Sequence, residues 1–488
     1  MIQIEFHESW WLLLVLVFDV SVRIAAIIIV PRNRRPTAAM AWLLAIYFIP
    51  IVGVALFLLI GTPRLPRKRR VRQRAINEYI ARTTAGLDFG TPDPDAPGWF
   101  RSIVTLNRNL GALPLSGGND AHLIADYAAS IAAMAREIRA AQRYVHVEFY
   151  ILQADSATED FFRALEEVTA RGVTVRVLLD HWANRGKPFY RSTLRRLDAM
   201  GAQWHLMLPV QPLKGKYQRP DLRNHRKLLV VDGDVAFTGS QNVTDSSYNL
   251  RKNIRRGLHW VDLMVRLRGP VVASVNAVFL SDWYSETDEI LSHEVDVFDI
   301  AEPTGRLDCQ IVPSGPGFEF ENNLRMFLAQ LYAAQRRIVL ISPYFVPEEA
   351  MLAAITTACH RGVAVDLFVS EDGDQAMVYH AQRSYYEVLL RAGVRIWMYR
   401  KPFILHTKAF TIDEDVAVIG SSNMDMRSFG LNMEISMLVR GEEFVDEMLA
   451  VAEDYRALSR ELTLEEWMRQ PLRSTVLDNL ARLTSALQ

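Results

Sequence analysis

The sequence is poor in cysteine and has no pattern typical of a metal site. Its 488 residues include two cysteines, Cys309 and Cys359, and neither belongs to a CxxC pair. The 11 histidines form no HExxH or HxH pattern. These absences favour two buried structural thiols over a disulfide, and they predict no metal or other cofactor.

The sequence also lacks an excess of either charge. It has 55 Lys and Arg residues against 56 Asp and Glu residues, so its formal net charge is -1. A nucleic-acid-binding protein normally carries a basic excess, and we therefore expect no nucleic-acid partner. Half of the residues are hydrophobic, and the length suffices for roughly two to three domains with large cores.

Two apolar runs near the N-terminus, at about residues 10–30 and 38–60, predict a transmembrane helical hairpin within residues 1–62. About 20 apolar residues are needed to cross the hydrocarbon core of a bilayer. The first run contains Asp19 and Arg23, whose i,i+4 spacing predicts an ion pair on one helix face. A cleaved signal peptide is the weaker interpretation because a second apolar run follows at once.

The flanks of the second run bear on its topology. Pro50 and Gly53 leave a kink or a re-entrant segment open as alternatives to a full crossing. Two crossings would place the N-terminus and the C-terminal body on one side. Seven basic residues within 64–74 favour the cytoplasm for that side, whereas three arginines in the connector 31–36 oppose it. We expect a basic juxtamembrane segment and linker over residues 63–118, which can also bind anionic headgroups.

Beyond the linker, strand and helix patterns alternate, and the two halves are similar. A strand-helix-strand pattern over residues 144–180 recurs over residues 338–370, with the sequence RGV before the second strand both times. This order predicts an α/β fold of two duplicated lobes, 119–295 and 296–470, with mostly parallel sheets flanked by helices and a site at their seam. The tail 471–488 has amphipathic helical spacing and is expected to pack on the body or lie on the bilayer.

Each half contains the pattern His-x-Lys-x4-Asp. The first copy is HRKLLVVD from His225 to Asp232, and the second is HTKAFTID from His406 to Asp413. A Gly-Ser-x-Asn tetrapeptide begins 14 residues after the histidine in both copies. Residues i and i+2 of an extended strand share a face, so the His and Lys of each copy point into one site. The two copies therefore predict one composite site for phosphodiester chemistry.

The residue types of the motif suit that chemistry. One imidazole can act as nucleophile and the other as acid or base, while lysine and asparagine can neutralise the non-bridging phosphate oxygens. Asp232 and Asp413 end their strands in predicted turns, where a structural role is favoured over a catalytic one. The catalytic candidates of the two motifs are His225, Lys227, Asp232, His406, Lys408 and Asp413.

The two motifs resemble the HxKxxxxD signature of the phospholipase D superfamily. Three further segments resemble bacterial cardiolipin synthases, namely AWLL from Ala41, PYFVP from Pro343 and NMDMRS from Asn423. The resemblance covers essentially the whole chain. It implies phosphatidyl transfer between two phosphatidylglycerol molecules, which gives cardiolipin and glycerol through a phosphohistidine. It also implies a multi-pass protein of the bacterial inner membrane with these phospholipids as partners, and the basic residues within 64–74 favour a cytoplasmic catalytic body.

The resemblance assigns His225 as the nucleophile and His406 as the acid and base, although the near-symmetry of the sequence leaves this order open. Each histidine needs a carboxylate that orients its far ring nitrogen. The family has acidic residues at places comparable to Asp262 and Glu434, so each is expected to serve the histidine of its own half. The supporting and phosphate-binding candidates are Ser240, Asn242, Asp262, Ser421, Asn423 and Glu434.

Several functions remain open at this stage. A phospholipase D-type hydrolase, in which water replaces the second lipid, differs from the transferase only in whether water is kept from the intermediate. The apolar segment and the neutral charge disfavour a nuclease, and the intact motifs disfavour a non-catalytic scaffold. Tyr150 and His181 follow strand ends and are secondary candidates for the pocket wall. The oligomeric state is left open.

Overall fold

The computed structural model describes residues 5–32, 34, 36–61, 65–83, 89–211, 216–291 and 300–483. These residues form two compact units, Met1–Arg64 and Leu65–Gln488. The N-terminal unit has three helices, α1 Glu5–Ile29, α2 Pro36–Phe48 and α3 Pro50–Ile60.

Helix α1 has the length and composition of a membrane span. Its segment Trp10–Ile29 has 20 residues with a mean hydropathy of 2.6. The expected ion pair is present, with Arg23 Nε 2.6 Å from an Asp19 carboxylate oxygen. The Arg23 guanidinium also lies 5.2 Å from the centre of the Tyr47 ring of α2. Pairing of this kind lowers the cost of placing ionisable groups within a bilayer.

The second apolar run folds back on itself instead of forming one long helix. Helix α2 ends at Phe48 and α3 begins at Pro50, because proline cannot continue the hydrogen-bond ladder of the preceding helix. A helix rises 1.5 Å per residue, so the 13 residues of α2 and the 11 of α3 each fall short of the roughly 30 Å hydrocarbon core. At Gly53 an added Cβ would lie 2.5 Å from the Ala45 carbonyl oxygen, so glycine permits the close approach of the two helices.

The two ends of this α2–α3 pair come together. The Arg34 guanidinium, in front of α2, donates hydrogen bonds of 2.8 Å to the Gly61 carbonyl and 2.6 Å to the Val30 carbonyl. Among the described residues only α1 is long enough to span a membrane. The prediction of two spanning helices, and with it of a multi-pass protein, is therefore not supported.

The second unit contains helices and strands throughout. Its helices are α4 Arg67–Thr83, α5 Gly98–Asn109, α6 Tyr127–Ala140, α7 Glu159–Ala170, α8 His181–Arg185, α9 Tyr190–Met200, α10 Arg251–Arg256, α11 Val271–Thr287, α12 Asn322–Ala333, α13 Glu349–His360, α14 Ala376–Arg383, α15 Tyr386–Ala392, α16 Met426–Gly430, α17 Glu442–Ala457, α18 Leu464–Met468 and α19 Leu472–Arg482. Its strands are β1 Leu115–Ile124, β2 Tyr144–Phe149, β3 Thr174–Asp180, β4 Gln203–Met207, β5 Val210–Gln211, β6 Lys216–Tyr217, β7 Arg223–Asn224, β8 Lys227–Val231, β9 Val235–Gly239, β10 His259–Val261, β11 Met264–Arg268, β12 Leu307–Ser314, β13 Arg337–Ile341, β14 Phe345–Val346, β15 Ala364–Ser370, β16 Arg395–Tyr399, β17 Phe403–Leu405, β18 Ala409–Ile412, β19 Val416–Gly420, β20 Met424–Asp425, β21 Asn432–Arg440 and β22 Ser459–Leu462.

One large sheet runs through this unit, in the order β22-β16-β15-β13-β18-β19-β21-β12-β1-β11-β9-β8-β2-β3-β4. In the first half β2, β3 and β4 are parallel, and β8, β9 and β11 continue antiparallel from β2. In the second half β13, β15 and β16 are parallel, and β18, β19 and β21 continue antiparallel from β13. The antiparallel pair β1–β12 joins the two halves.

The prediction of mostly parallel sheets is wrong, because the sheet is mixed and most of its described pairings are antiparallel. The strand that follows each motif histidine turns back into a hairpin instead of crossing over through a helix. In the first hairpin Asp232 has φ 55° and Gly233 has φ 82°, the positive values that a type I′ turn requires. In the second, Asp413 has φ 51°. The Asp-Gly pair was thus a hairpin signal as well as a turn signal.

The predicted domain limits relate to this unit as follows. Residues 63–118, expected as a juxtamembrane segment and linker, contribute α4 and α5 to the body, where Gln73 of α4 donates a 2.6 Å hydrogen bond to Ser281 of α11. The predicted boundary at 295/296 lies outside the described residues. The lobe limits stay predictions.

Cys309 and Cys359 are both free thiols, the first buried and the second partly buried.

The C-terminal tail forms α19, which contacts α14. Asp478 accepts hydrogen bonds from His380 Nδ1 at 2.7 Å and from Arg383 Nε at 3.2 Å. The opposite side of the helix is exposed and apolar, with Leu472 at 84% exposure and Leu483 at 82%. Packing on the body therefore uses the polar side of α19 and leaves its apolar stripe in contact with solvent. Residues 484–488 of the predicted tail lie outside the described residues.

Candidate active site

Each motif histidine is held by the opposite half of the body. The short strand β7, directly before His225, pairs in parallel with β21 of the second half. The His225 backbone N–H donates to the Met433 carbonyl at 2.8 Å. In the mirror arrangement β17, before His406, pairs with β10 of the first half, and the His406 N–H donates to the Val261 carbonyl at 2.7 Å. The two motifs therefore meet at the seam.

The orienting carboxylates are exchanged between the halves. His225 Nδ1 lies 3.0 Å from Glu434 Oε2, and His406 Nδ1 lies 2.6 Å from Asp262 Oδ1. The expectation that each carboxylate serves the histidine of its own half is therefore wrong. The cause is the crossed strand pairing, because Glu434 follows Met433 on β21 and Asp262 comes directly after Val261, the last residue of β10. In both pairs Nδ1 faces the carboxylate, which leaves Nε2 for a substrate.

The two motif serines fix these carboxylates. Ser240 Oγ donates to Asp262 Oδ1 at 2.6 Å, and Ser421 Oγ donates to Glu434 Oε2 at 2.5 Å. Both serine hydroxyls also accept a 3.0 Å hydrogen bond from the backbone N–H of the residue that follows the carboxylate. The serines thus orient the carboxylates that orient the histidines.

The motif lysines are buried beside their histidines. Lys227 Nζ donates to the His225 carbonyl and Lys408 Nζ to the His406 carbonyl, both at 2.5 Å. Lys227 is 0% exposed and Lys408 is 3% exposed. Burial lowers the pKa of Lys227 to about 8 and that of Lys408 to about 7. Both ammonium groups are held near the histidines by one hydrogen bond and keep further donors for a phosphate.

The motif aspartates contact backbone at the far end of their strands. Asp232 accepts hydrogen bonds from the backbone N–H of Gln142 at 2.7 Å and of Tyr144 at 2.8 Å. Asp413 accepts from the N–H of Arg336 at 2.7 Å and of Arg337 at 2.9 Å. Each carboxylate thus ties the motif hairpin to the start of the neighbouring parallel strand through backbone N–H groups and not through a motif histidine.

The two motif asparagines differ. Asn242 accepts from the Ile151 N–H at 3.0 Å and donates to the Tyr248 hydroxyl at 2.8 Å, so both ends of its amide are occupied. Asn423 is 5% exposed, and its side-chain oxygen has no hydrogen-bond partner among the described residues. A buried amide without a partner is uncommon in a folded protein. The amide of Asn423 is therefore the more available of the two for a ligand.

Burial dominates the electrostatics of the site. It lowers the pKa of His225 and of His406 to about 4, against the opposing effect of the carboxylates. Burial alone raises the pKa of Asp262 and Glu434, but the neighbouring histidine and lysine side chains more than offset this, so both are lowered. The ligand-free site then holds neutral imidazoles between two carboxylates and two ammonium groups.

Aromatic and arginine side chains complete the surroundings. Tyr150 lies edge-on to His225 with ring centres 4.8 Å apart, whereas Tyr248, which the sequence did not single out, lies 6.4 Å from His406. His181 is not available to the pocket through Nδ1, which accepts a 3.0 Å hydrogen bond from the Val210 N–H. Arg226, the second residue of the first motif, donates to the Glu434 backbone carbonyl at 3.0 Å. Its position between His225 and Lys227 was the available signal for this buried contact.

Comparisons with known proteins agree with this architecture. The family described as "Cardiolipin synthase, PLD-like domain" matches residues 134–283 and 327–455. The family described as "Phospholipase_D-nuclease N-terminal" matches residues 22–61. The solved structure of phosphatidylserine synthase from Haemophilus influenzae Rd KW20 covers 80% of this chain and 100% of its own, with a TM-score of 0.59 and 14% identity. This similarity concerns the fold.

Two curated relatives extend over nearly the full length. Cardiolipin synthase A from Serratia proteamaculans is 32% identical over 488 residues, which covers 98% of this chain and 97% of the relative. Cardiolipin synthase A from Proteus mirabilis is 31% identical over 467 residues, which covers 93% and 94%. The chain therefore belongs to the cardiolipin synthase family of phospholipase D-like proteins.

Proposed function

We propose that this protein is a phosphatidyltransferase that forms cardiolipin and glycerol from two phosphatidylglycerol molecules. The observation that carries the proposal is the opposed pair His225 and His406, each with Nδ1 on a carboxylate of the other half and Nε2 left for substrate. Such a pair supplies both a nucleophile and an acid. Full-length similarity to proteins named cardiolipin synthase A supports the same substrate class.

In the first step His225 Nε2 attacks the phosphorus of one phosphatidylglycerol. The bond from phosphorus to the headgroup oxygen breaks, and His406 transfers its Nε2 proton to that oxygen, so glycerol leaves. Glu434 accepts a hydrogen bond from Nδ1–H of His225 and so keeps the Nε2 lone pair on the substrate side. Lys227 and Lys408 stabilise the charge on the non-bridging oxygens.

In the second step a hydroxyl of another phosphatidylglycerol attacks the phosphohistidine. His406, now neutral, takes the hydroxyl proton, the new oxygen–phosphorus bond forms, and the bond to His225 Nε2 breaks. The product is cardiolipin, and His406 regains the proton that it gave in the first step. The two displacements retain the configuration at phosphorus. The order of the two histidines rests on the family resemblance.

The proposed location is a membrane surface with the body on the cytoplasmic side. With α1 crossing once and the α2–α3 pair re-entrant, the connector and the start of the body share one side, opposite the N-terminus. The Arg34 contacts to Val30 and Gly61 support this topology. The basic residues of 31–36 and of 64–74 then lie on the same side of the membrane. Both groups now predict the cytoplasmic side under the positive-inside rule.

Single cysteines at Arg32 and at Arg171, a partly exposed position in the body, test this topology in sealed inverted membrane vesicles. A membrane-impermeant thiol reagent should label both from the cytoplasmic face and should not label a cysteine at Glu5. Labelling of the residue 32 cysteine only from the opposite face would contradict the re-entrant topology and restore two crossings.

The activity test uses the purified full chain in detergent with phosphatidylglycerol, followed by mass spectrometry of the lipids. Cardiolipin and free glycerol are expected, and His225→Ala and His406→Ala should each abolish their formation. Phosphatidic acid as the only lipid product would favour the hydrolase and overturn the transferase. An active single-histidine variant would contradict the composite site. The exposed Asp446→Asn change on α17 serves as the matched control.

A further inference from the structure

One side of the C-terminal helix α19 is fixed to the body. Asp478 is 2% exposed and accepts hydrogen bonds from His380 Nδ1 and Arg383 Nε of α14. The Arg482 guanidinium lies 4.8 Å from the centre of the Tyr385 ring, in the short link between α14 and α15. These two contacts fix the rotation of the helix about its own axis, so its opposite side has a defined orientation.

The opposite side of α19 carries an apolar stripe, formed by Leu472, Val476, Leu480 and Leu483. These residues follow one another at spacings of four, four and three, so they share one helix face. Each of the four is more than half exposed. An exposed apolar face on a helix that is fixed in place marks a surface that binds a partner.

Helix α14 connects α19 to the surroundings of the candidate site. Gln382 of α14 accepts a 2.9 Å hydrogen bond from the Phe345 backbone N–H. Phe345 in turn pairs with Met424, the residue directly after the motif asparagine Asn423. Helix α19 is therefore attached, through α14, to the structure that surrounds the tail of the second motif.

The charges around the apolar stripe favour an anionic surface. The tail 471–488 has one acidic residue, Asp478, and its carboxylate is turned into the body. The two basic residues of the tail, Arg473 and Arg482, are both exposed. Anionic lipids attract such residues, and an arginine side chain can reach the headgroups while neighbouring apolar side chains lie deeper. Exposed arginines beside an apolar stripe are typical of a helix that lies in a membrane interface.

The size of the apolar stripe disfavours a second copy of the chain as its partner. The 11 residues of α19 form a helix about 17 Å long, and a helix with its side chains is about 10 Å wide. A face of these dimensions is well below the roughly 800 Å² per partner of a stable protein–protein interface. A bilayer needs no complementary shape and takes up apolar side chains along the whole stripe.

We propose that α19 is an interfacial helix that docks the body onto an anionic bilayer, with the apolar stripe at the boundary between headgroups and acyl chains. Asp478 then fixes the membrane-bound helix to the body, and α14 links this helix to the site. The phospholipid substrates of the family lie in the same bilayer, so the helix keeps the site close to them. The proposal concerns membrane contact and does not depend on the phosphatidyl transfer proposed above.

The test uses the full-length protein in lipid nanodiscs of phosphatidylcholine, with or without phosphatidylglycerol. A Cys359→Ser background leaves the buried Cys309 unlabelled, and Leu480→Cys carries an environment-sensitive nitrobenzoxadiazole label. Lipids with a nitroxide high on the acyl chain quench a label within the bilayer, whereas iodide quenches a label in water. His360→Cys is the matched control, because it is exposed just before the start of β15, whereas α14 follows the other end of that strand.

In nanodiscs with phosphatidylglycerol, the nitroxide lipid should quench only the label at residue 480, and iodide should quench only the control label. Nitroxide quenching should weaken when phosphatidylglycerol is omitted. Replacing Leu472, Val476 and Leu483 together with glutamine should abolish nitroxide quenching and leave the thermal unfolding midpoint unchanged, since these side chains are exposed. Glu443→Gln, exposed on α17, should change neither quantity.

Four results would overturn the interfacial helix. Quenching of the residue 480 label by iodide alone would leave the apolar stripe in water. Protection from both quenchers would assign the stripe to a second copy if labels on two copies show energy transfer, and to another segment of the same chain if they do not. Nitroxide quenching that is independent of phosphatidylglycerol would contradict docking onto an anionic surface. An inactive protein that still shows the expected quenching would instead remove the transferase proposal and leave the interfacial helix.

Discussion

Replacing Glu434 with glutamine tests the crossed pairing of histidines and carboxylates. Glu434 is fully buried and contacts His225 Nδ1 at 3.0 Å and Ser421 Oγ at 2.5 Å. Glutamine has nearly the same shape but lacks the charge. If its amide nitrogen faces His225, Nδ1 must accept a hydrogen bond, and the ring proton moves to Nε2, where it blocks nucleophilic attack.

The size of the effect has two bounds. Loss of a hydrogen bond to a charged group removes about 1.5–3 kcal/mol, which corresponds to roughly 10- to 150-fold in rate. Fixing the wrong tautomer has a larger effect, about 10⁴-fold in the Ser-His-Asp proteases. We therefore expect Glu434→Gln to slow phosphoenzyme formation by about 10²- to 10⁴-fold. Glu443→Gln, exposed on α17, should stay within about twofold.

The assay compares Glu434→Gln with Asp262→Asn on two donor lipids. Phosphatidylglycerol needs a protonated histidine for its alkoxide leaving group, whereas phosphatidyl-p-nitrophenol does not. Asp262 contacts His406 at 2.6 Å, so its variant impairs the acid and should regain most of the rate of phosphoenzyme formation with the activated donor. The Glu434 variant impairs the nucleophile and should remain slow with both donors.

The opposite pattern would show that the crossed pairing and the proposed roles of the two histidines cannot both be correct. If the activated donor restored Glu434→Gln and left Asp262→Asn slow, either the carboxylates would serve the histidines of their own halves or the two histidines would exchange roles. Chemical trapping of the phosphohistidine separates these cases, because the nucleophile is the residue that carries the phosphorus.

Three further outcomes are expected. For the free enzyme, kcat/KM should rise with pH up to about 4 as His225 becomes neutral, fall above that as His406 loses its proton, and fall more steeply above about 7 to 8 as Lys408 and Lys227 lose their charge; a slope that does not steepen between pH 6 and 10 would contradict the lysine role. Asp413→Ala leaves buried N–H groups without an acceptor, so thermal or denaturant unfolding should show a loss of about 2–4 kcal/mol, and Asp413→Asn a smaller loss. Ser421→Ala should lower kcat by about 5- to 10-fold with little change in KM, since one hydrogen bond to the Glu434 carboxylate is lost; an effect confined to KM would place Ser421 on the substrate instead.

The sequence contained enough to identify the chemistry but not the partners of each histidine. The spacing of His, Lys and Asp, repeated with matching tails, predicted two motifs that meet at one site. The strand pairings β7–β21 and β10–β17 decide which carboxylate contacts which histidine. Each pairing involves only two or three residues, which is too short for a recognisable hydrophobic periodicity in the sequence. Glu434 and Asp262 could be selected from their apolar flanks, whereas their exchange could not.

The misjudged sheet has a comparable cause. The alternation of strand and helix patterns correctly predicts parallel strands from β2 to β4 and from β13 to β16, where helices join the strands. The hairpins at Asp232 and Asp413 follow in short apolar runs that resemble buried parallel strands in composition. Similarly, the uncharged run 38–60 is long enough to span a bilayer, and only the consequence of Pro50 for backbone hydrogen bonding divides it into two helices.

The charges of the site couple protonation of the acid to lipid binding. Glu434 and Asp262 balance Lys227 and Lys408, so the ligand-free site is neutral when both imidazoles are neutral. A phosphodiester adds one negative charge to this buried pocket, and a proton on His406 restores neutrality, so bound lipid should raise the pKa of His406 above its value of about 4. The acid is then protonated only when a substrate is present.

Two measurements test this coupling. The pH profile of kcat reports the bound complex, so activity should be lost at a pH higher than the pKa of about 4 of His406 in the free enzyme. Saturation with a non-hydrolysable phosphonate lipid should raise the pKa of His406, followed by NMR, by at least one pH unit. A titration unchanged by the phosphonate would contradict this coupling and require His406 to acquire its proton by another route.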